Sequence, residues 1–149
     1  MIRAAISADI PPLLALGRAM HAESRFAPRP WNDTKVTGLM HWLIENEDGL
    51  LLVAERGGEM VGGFLGICND HWCVDGRTAC DLALYVSPDR RGGMAAAQLL
   101  RAYREWARSR GADEILLGIT TGVNLETTSR LFNTVGFASI GNLFEYRGN

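Results

Sequence analysis

The stretch from Asp81 to Leu100 constrains this chain more than any other: Asp-Leu-Ala-Leu-Tyr-Val-Ser-Pro-Asp-Arg-Arg-Gly-Gly-Met-Ala-Ala-Ala-Gln-Leu-Leu. It begins as a strand, breaks at Pro88 and re-forms as a helix opening near Gly93. Two arginines and two glycines stand between. A strand that runs through a glycine turn into a helix N-terminus makes an anion site. The first-turn amides have no intrahelical acceptor, and the helix dipole favours negative charge there. Gly92 and Gly93 carry no β-carbon, so a phosphate can approach their backbone closely. Arg90 and Arg91 add forked donors suited to phosphate oxygens. The stretch therefore predicts a phosphorylated ligand.

The glycine spacing excludes the commoner phosphate loops. There is no G-x-x-x-x-G-K-S/T, and no G-x-G-x-x-G. What stands there is Arg90-x-x-Gly93-x-Ala95, behind Leu84-Tyr85-Val86-Ser87-Pro88. This resembles the pyrophosphate-binding motif of the GNAT superfamily of acyl-CoA-dependent N-acyltransferases: Gln or Arg, two residues, Gly, one residue, then Gly or Ala. Further on, Ser129-Arg-Leu-Phe-Asn-Thr-Val-Gly-Phe137 looks like that family's late helix ending in Gly-Phe. The resemblance runs from Ile2-Arg-Ala-Ala to the end of the chain.

Composition sets the outer bounds. At 149 residues, 47% of them hydrophobic and 21% charged, the chain suits one globular domain, 1–149, with a core of its own. A net charge of −2 gives no reason to expect a nucleic-acid partner. The opening Met1-Ile-Arg-Ala-Ala lacks the apolar run of a secretory leader, and no stretch has the ~20 apolar residues of a spanning helix. A cytoplasmic protein is expected, with Cys68, Cys73 and Cys80 as free thiols. Cys68-x-x-His71-x-Cys73-x6-Cys80 matches no common zinc spacing, so no metal is expected.

Periodicity predicts the elements. Ile2–Ile6 reads as a strand, and Ser7 as the N-cap of a helix bearing Ile10, Leu13, Leu14, Leu16 and Met20, with Pro11 and Pro12 in its first turn. Residues 21–31 read as loop. Asp33 or Thr34 caps a second helix that ends before Gly49. Leu50–Glu55 and Met60–Cys68 form a hairpin around Arg56-Gly-Gly-Glu59. A strand from Thr78 to Ser87 leads into the phosphate turn. The following helix places Leu99, Leu100, Tyr103, Trp106 and Ala107 on one face and stops at Gly111. Then come a strand over Glu114–Thr120, a helix over Glu126–Val135, and one or two strands over Phe137–Arg147. The order β-α-α-β-β-β-α-β-α-β(β) is a mixed α/β fold. The resemblance makes its sheet mostly antiparallel and flanked by helices.

The resemblance also implies a site. The strand ending at Val86 and the strand from Glu114 splay, and acetyl-CoA lies in the wedge. Backbone of Leu84, Tyr85 and Val86 would bond the pantetheine amides as an added strand does. Amides from Arg91 through Gly92, Gly93, Met94 and Ala95 to Ala96 would hold the pyrophosphate, with Arg90 beside them. Asn124 would face the pantetheine arm, and Phe132 would pack near the thioester. An amine attacking the thioester must lose a proton. Asp81 is the family-like base. Glu23, in the loop that lines the acceptor site in this family, is a second carboxylate there, and shares its segment with His21. Many relatives carry a tyrosine acid where this chain has Phe132. Tyr85, Thr128, Ser129 or water would replace it, or a thiol of pKa ~8.5 would leave unaided.

The expected function is transfer of an acetyl group from acetyl-CoA to a primary amine of a small molecule or peptide. The alternatives are a weak or inactive acyl-CoA-binding module of the same fold, for which Phe132 argues, and a phosphate-binding enzyme unrelated to CoA. Glu23, Asp33, Asp70 and Asp81 would suit a cationic acceptor if they converge, and Trp31, Trp42 and Trp72 are either pocket or core. A homodimer is the resembled family's common state.

Overall fold

The computed structural model describes residues 1–148. Alternation along one strand explains its architecture. In β2, Gly49–Arg56, residues Leu50, Leu52 and Ala54 face one side, and Leu51 and Val53 face the other; all are buried. A strand apolar on both faces needs cover on both, and the chain supplies two helical layers. α1 (Ile10–Glu23) and α2 (Asp33–Glu45) bring Ile10, Leu13, Met40 and Leu43 against Leu51 and Val53. α3 (Ala95–Ser109) covers the other face with Leu99, Leu100, Tyr103 and Ala107.

The sheet has five strands in the order β1-β2-β3-β4-β5. β1 is Ile2–Ala4, β3 Glu59–Asp70, β4 Arg77–Val86 and β5 Glu114–Leu116. The first three pairings are antiparallel and the last is parallel. A short helix, α4 (Leu125–Thr134), follows β5. Mixed α/β class, mostly antiparallel sheet and flanking helices are thus as expected from the sequence.

The differences are local. Ser7 does not cap α1: residues Ser7–Asp9 form a 3-10 turn, and the Asp9 carboxylate takes the Ile6 amide at 2.8 Å while pairing with Arg3. α2 is capped one residue earlier than expected, by Asn32, whose side chain accepts from the Lys35 amide at 2.9 Å. α1 runs on through His21, whose Nε2 lies 2.7 Å from the Arg29 carbonyl. β5 stops at Leu116, four residues short of the expected end, and residues 137–148 form no strand. Ile140, Leu143, Phe144 and Tyr146 of that segment are all strongly exposed. Their aromatic and branched side chains suit a strand, but a strand also needs a paired edge, which sequence does not display.

Candidate active site between β4 and β5

β4 and β5 pair only over Thr78–Cys80 and Glu114–Leu116. Beyond Cys80 the β5-facing edge of β4 has no strand partner among the described residues. Two features open this wedge. On the β3 side, the register shifts between Leu65 and Gly66, so that Gly66 faces Asp81, Leu65 faces Ala83, and Leu82 is the extra residue of a bulge. On the β5 side, the Tyr103 hydroxyl donates to the Leu116 carbonyl at 2.9 Å and fixes the strand's last residue. Burial holds that phenol well above its usual pKa, so it serves as a fixed donor. Gly66 makes room for it: a β-carbon there would sit 3.0 Å from Phe64 and 3.3 Å from Tyr103.

The wedge is a cavity of about 290 Å³. Asp81 stands at its inner end. Its Oδ1 accepts from the Gly118 amide at 2.9 Å, bridging the diverging chains. Burial pushes the carboxyl up to about 6, and the Gly118 bond offsets only part of that. Leu82, Leu84, Tyr85 and Val86 continue one wall. Gly118, Thr120, Asn124, Thr128 and Phe132 form the other.

At the outer end the backbone dominates. No backbone amide of residues 92–97 donates a hydrogen bond among the described residues, and α3 begins without a side-chain cap. Gly92 has φ +82°, and a β-carbon on it would meet nothing within 4 Å; one on Gly93 would meet only the Arg90 carbonyl, at 3.6 Å. A strip of free donors, with open space where side chains would stand, fits a diphosphate. Gly92, Gly93 and Ala96 line the wedge; Met94 and Ala95 face a neighbouring cavity on the far side of the helix start.

The arginine side chains are placed otherwise than as free phosphate forks. Arg90 donates to Glu59 at 2.9 Å, while its Nε, 3.3 Å from Asp89 but misaligned, has no acceptor. Arg91 donates its Nε to the Val86 carbonyl at 2.9 Å, both terminal nitrogens to Glu23, and stacks 5.3 Å over Tyr85.

The structure brings Glu23 and Asp81 into one cavity but not the other carboxylates named from sequence. Asp33 pairs with Arg18 and the Trp31 indole, and Asp70 lies exposed beside Arg77. None of Trp31, Trp42 and Trp72 lines the wedge. Ser129 is committed to the Leu125 carbonyl at 2.8 Å, whereas Thr128 lines the wedge with its hydroxyl unpartnered among the described residues. Asn124 adopts a left-handed conformation, φ 48° and ψ 46°, at the start of α4, and its side chain makes no capping hydrogen bond among the described residues. Met20, Thr120, Thr121 and Thr127 also line the cavity and were not foreseen; they carry no motif, and only the fold brings them there.

The model of the acetyltransferase (GNAT) family matches residues 16–137. The chain belongs to the GNAT acetyltransferase family. No curated protein matches the sequence. Solved structures agree on the fold of this GNAT protein. It is similar to the aminoglycoside N-acetyltransferase AAC(6')-Iy in complex with a CoA-containing bisubstrate analogue, at 15% identity over 100% of this chain and 97% of that one, TM-score 0.80. It is also similar to a predicted acetyltransferase with acetyl-CoA from Clostridium acetobutylicum, at 18% identity over 99% and 95%, TM-score 0.81. A third likeness is the aminoglycoside 6'-N-acetyltransferase AAC(6')-IG from Acinetobacter haemolyticus, at 17% identity over 100% and 98%, TM-score 0.75.

Proposed function

We propose that this GNAT domain, 1–149, transfers the acetyl group of acetyl-CoA to a primary amine of a small molecule or peptide. One observation carries the reading: a single cavity joins an unpaired strand edge and free helix-start amides at one end to a half-buried carboxylate at the other. When bound, acetyl-CoA supplies a thioester able to surrender its acyl group to an amine.

The chain's own residues divide the remaining work. Unpaired backbone between Leu82 and Val86 orients the pantetheine arm, with Asn124 opposite, and the amides from Gly92 to Ala96 hold the diphosphate. Asp81 accepts the proton that the amine loses as its nitrogen bonds the carbonyl carbon and the carbon–sulfur bond breaks. A carboxyl near pKa 6 is ionised at neutral pH and a better base than an exposed aspartate. A strand amide on the open edge donates to the oxygen that gains charge. Thr128, one turn before Phe132, donates a hydrogen bond to the departing sulfur, which leaves as the thiolate and takes its proton from water. Tyr85 is the weaker choice for that role, because it lies buried beneath Arg91.

Two relatives by fold are aminoglycoside acetyltransferases, so amino sugars lead the acceptor panel, followed by polyamines and peptides. Free thiols at Cys68, Cys73 and Cys80 suit a cytoplasmic setting. Among the described residues no helix is long and apolar enough to cross a membrane. The exposed Ile140, Leu143, Phe144 and Tyr146 support a homodimer, for which sedimentation should return twice the monomer mass.

The first test is thermal-shift titration with acetyl-CoA, CoA, ATP and NAD. Stabilisation by the CoA compounds alone supports the reading and leads to an amine screen by thiol release. A response to ATP or NAD only would overturn it. A second reading, a CoA-binding module with little turnover, is favoured by Phe132; CoA binding without thiol release from any amine would establish it.

A further inference from the structure

Arg91 stands between a glycine turn rich in free amides and the carboxylate of Glu23. It belongs to the turn whose amides fit a diphosphate, yet its terminal nitrogens are spent on Glu23. Glu23 is held firmly at its position. The buried Ser24 closes α1 by donating its hydroxyl to the His21 carbonyl at 2.9 Å and accepting the Phe26 amide at 3.2 Å. The next residue ties the segment to the opposite wall, with the Arg25 amide 2.8 Å from the Thr121 carbonyl and its guanidinium on Thr120. Residues 23–25 therefore strap the mouth of the wedge, from the β4 side to the β5 side. Arg91 is the only cation that compensates Glu23 among the described residues.

We propose that Glu23 selects a cationic acceptor and that Arg91 is its placeholder, withdrawn when the diphosphate of acyl-CoA binds. This rests on the acyl-CoA reading above. The exchange is open to the ligand, because both partners are about 30% exposed and solvent screens part of their attraction. A diphosphate competes well for a planar fork. Once Arg91 leaves, Glu23 faces the cavity without a counter-ion, and an ammonium restores the balance. Tyr85, beneath Arg91, lies four residues along β4 from Asp81, roughly 13 Å at strand rise and somewhat less across the bulge at Leu82. An acceptor that meets both carboxylates carries a second ammonium about that far from the reacting one, as a polyamine or a multiply aminated sugar does.

Calorimetric titration of wild type, Glu23→Gln and Arg91→Gln with CoA, pantetheine, spermidine and butylamine tests this. Glu23→Gln should bind CoA about two- to fivefold more tightly, the range a half-exposed pair allows, with pantetheine unchanged. CoA should tighten spermidine binding to the wild type by the same two- to fivefold, with reciprocal tightening of CoA, and leave butylamine unaffected. Arg91→Gln should bind spermidine without CoA as tightly as the wild type does with it. Unchanged or weaker CoA binding by Glu23→Gln, or equal CoA–spermidine coupling in wild type and Glu23→Gln, would overturn the proposal. A wild type that binds no CoA would instead remove the acyltransferase reading beneath it.

Discussion

The two ends of the wedge are built from different materials. The outer end is backbone: free amides of residues 92–97, glycines with open space before them, and arginines already paired with carboxylates. The inner end is side chain: Asp81 across the gap from Gly118, with Thr128 and Phe132 on the facing helix. A backbone site tolerates most substitutions except those that fill its space. A side-chain site depends on single functional groups. The two ends should therefore fail in different ways.

Asp81→Asn should have the largest effect. A positioned base is worth roughly 10²- to 10⁴-fold, so kcat should fall by that much while CoA affinity stays within a few-fold. The wild-type rate should climb with pH through about 6 as Asp81 ionises, and the variant should lack that limb. Stability should move oppositely. The native pKa is raised from 3.8, so the native state holds this proton more tightly than the unfolded chain does. The carboxyl is then neutral to stability below about pH 4 and destabilises by about 3 kcal/mol above pH 6. Asp81→Asn keeps an acceptor for the Gly118 amide and should melt higher than wild type at pH 8, but not at pH 4. Full activity in this variant would erase the contrast between the two ends.

Gly93→Asp comes next. A β-carbon at 93 meets only the Arg90 carbonyl, at 3.6 Å, so the fold should survive with an unchanged melting temperature. Its carboxylate would stand in the anion's place, and CoA affinity should fall about 100-fold or more by calorimetry. Arg90→Gln should do far less, within about fivefold, because that guanidinium is turned to Glu59 and exposed pairs contribute little. A loss with Arg90→Gln as large as with Gly93→Asp would mean that side-chain charge, not backbone, holds the diphosphate.

The same contrast explains what could be read before the structure. Backbone sites leave a local signature, since glycines at fixed offsets between a strand and a helix mark the geometry itself. That is why the stretch from Leu84 to Ala96 could be proposed from one chain, and why its free amides are where the turn places them. The inner end had no such signature. Resemblance alone marked Asp81 as a base; in the residues themselves it is one acidic side chain among several, and the splay of β4 from β5 is what separates it from Asp33 and Asp70. β5 itself reads as a strand to Thr120, because periodicity records which residues can pair, not where a bulge at Leu82 and the Tyr103 anchor make pairing stop. Pairing partners and unpaired edges are tertiary facts, and the C-terminal segment was misread for the same reason.

The smallest expected effect lies where the inner end departs from its relatives. In the proposed reading, Phe132 occupies the position at which the resemblance would place a tyrosine acid. A thiol with a pKa near 8.5 is largely able to leave as the anion, so the missing acid costs little. Thr128, on the same face of α4 one turn earlier, offers a hydroxyl with no other partner among the described residues. Phe132→Tyr should then keep kcat within about threefold of wild type in steady-state thiol release, and Thr128→Ala should lose more, about five- to tenfold, what one hydrogen bond to the sulfur contributes. Adding Phe132→Tyr to Thr128→Ala should restore most of that loss if both hydroxyls serve the same sulfur. Without restoration, the Phe132 ring shapes the acyl pocket and the thiolate leaves without help. The inner end would then rest on Asp81 alone.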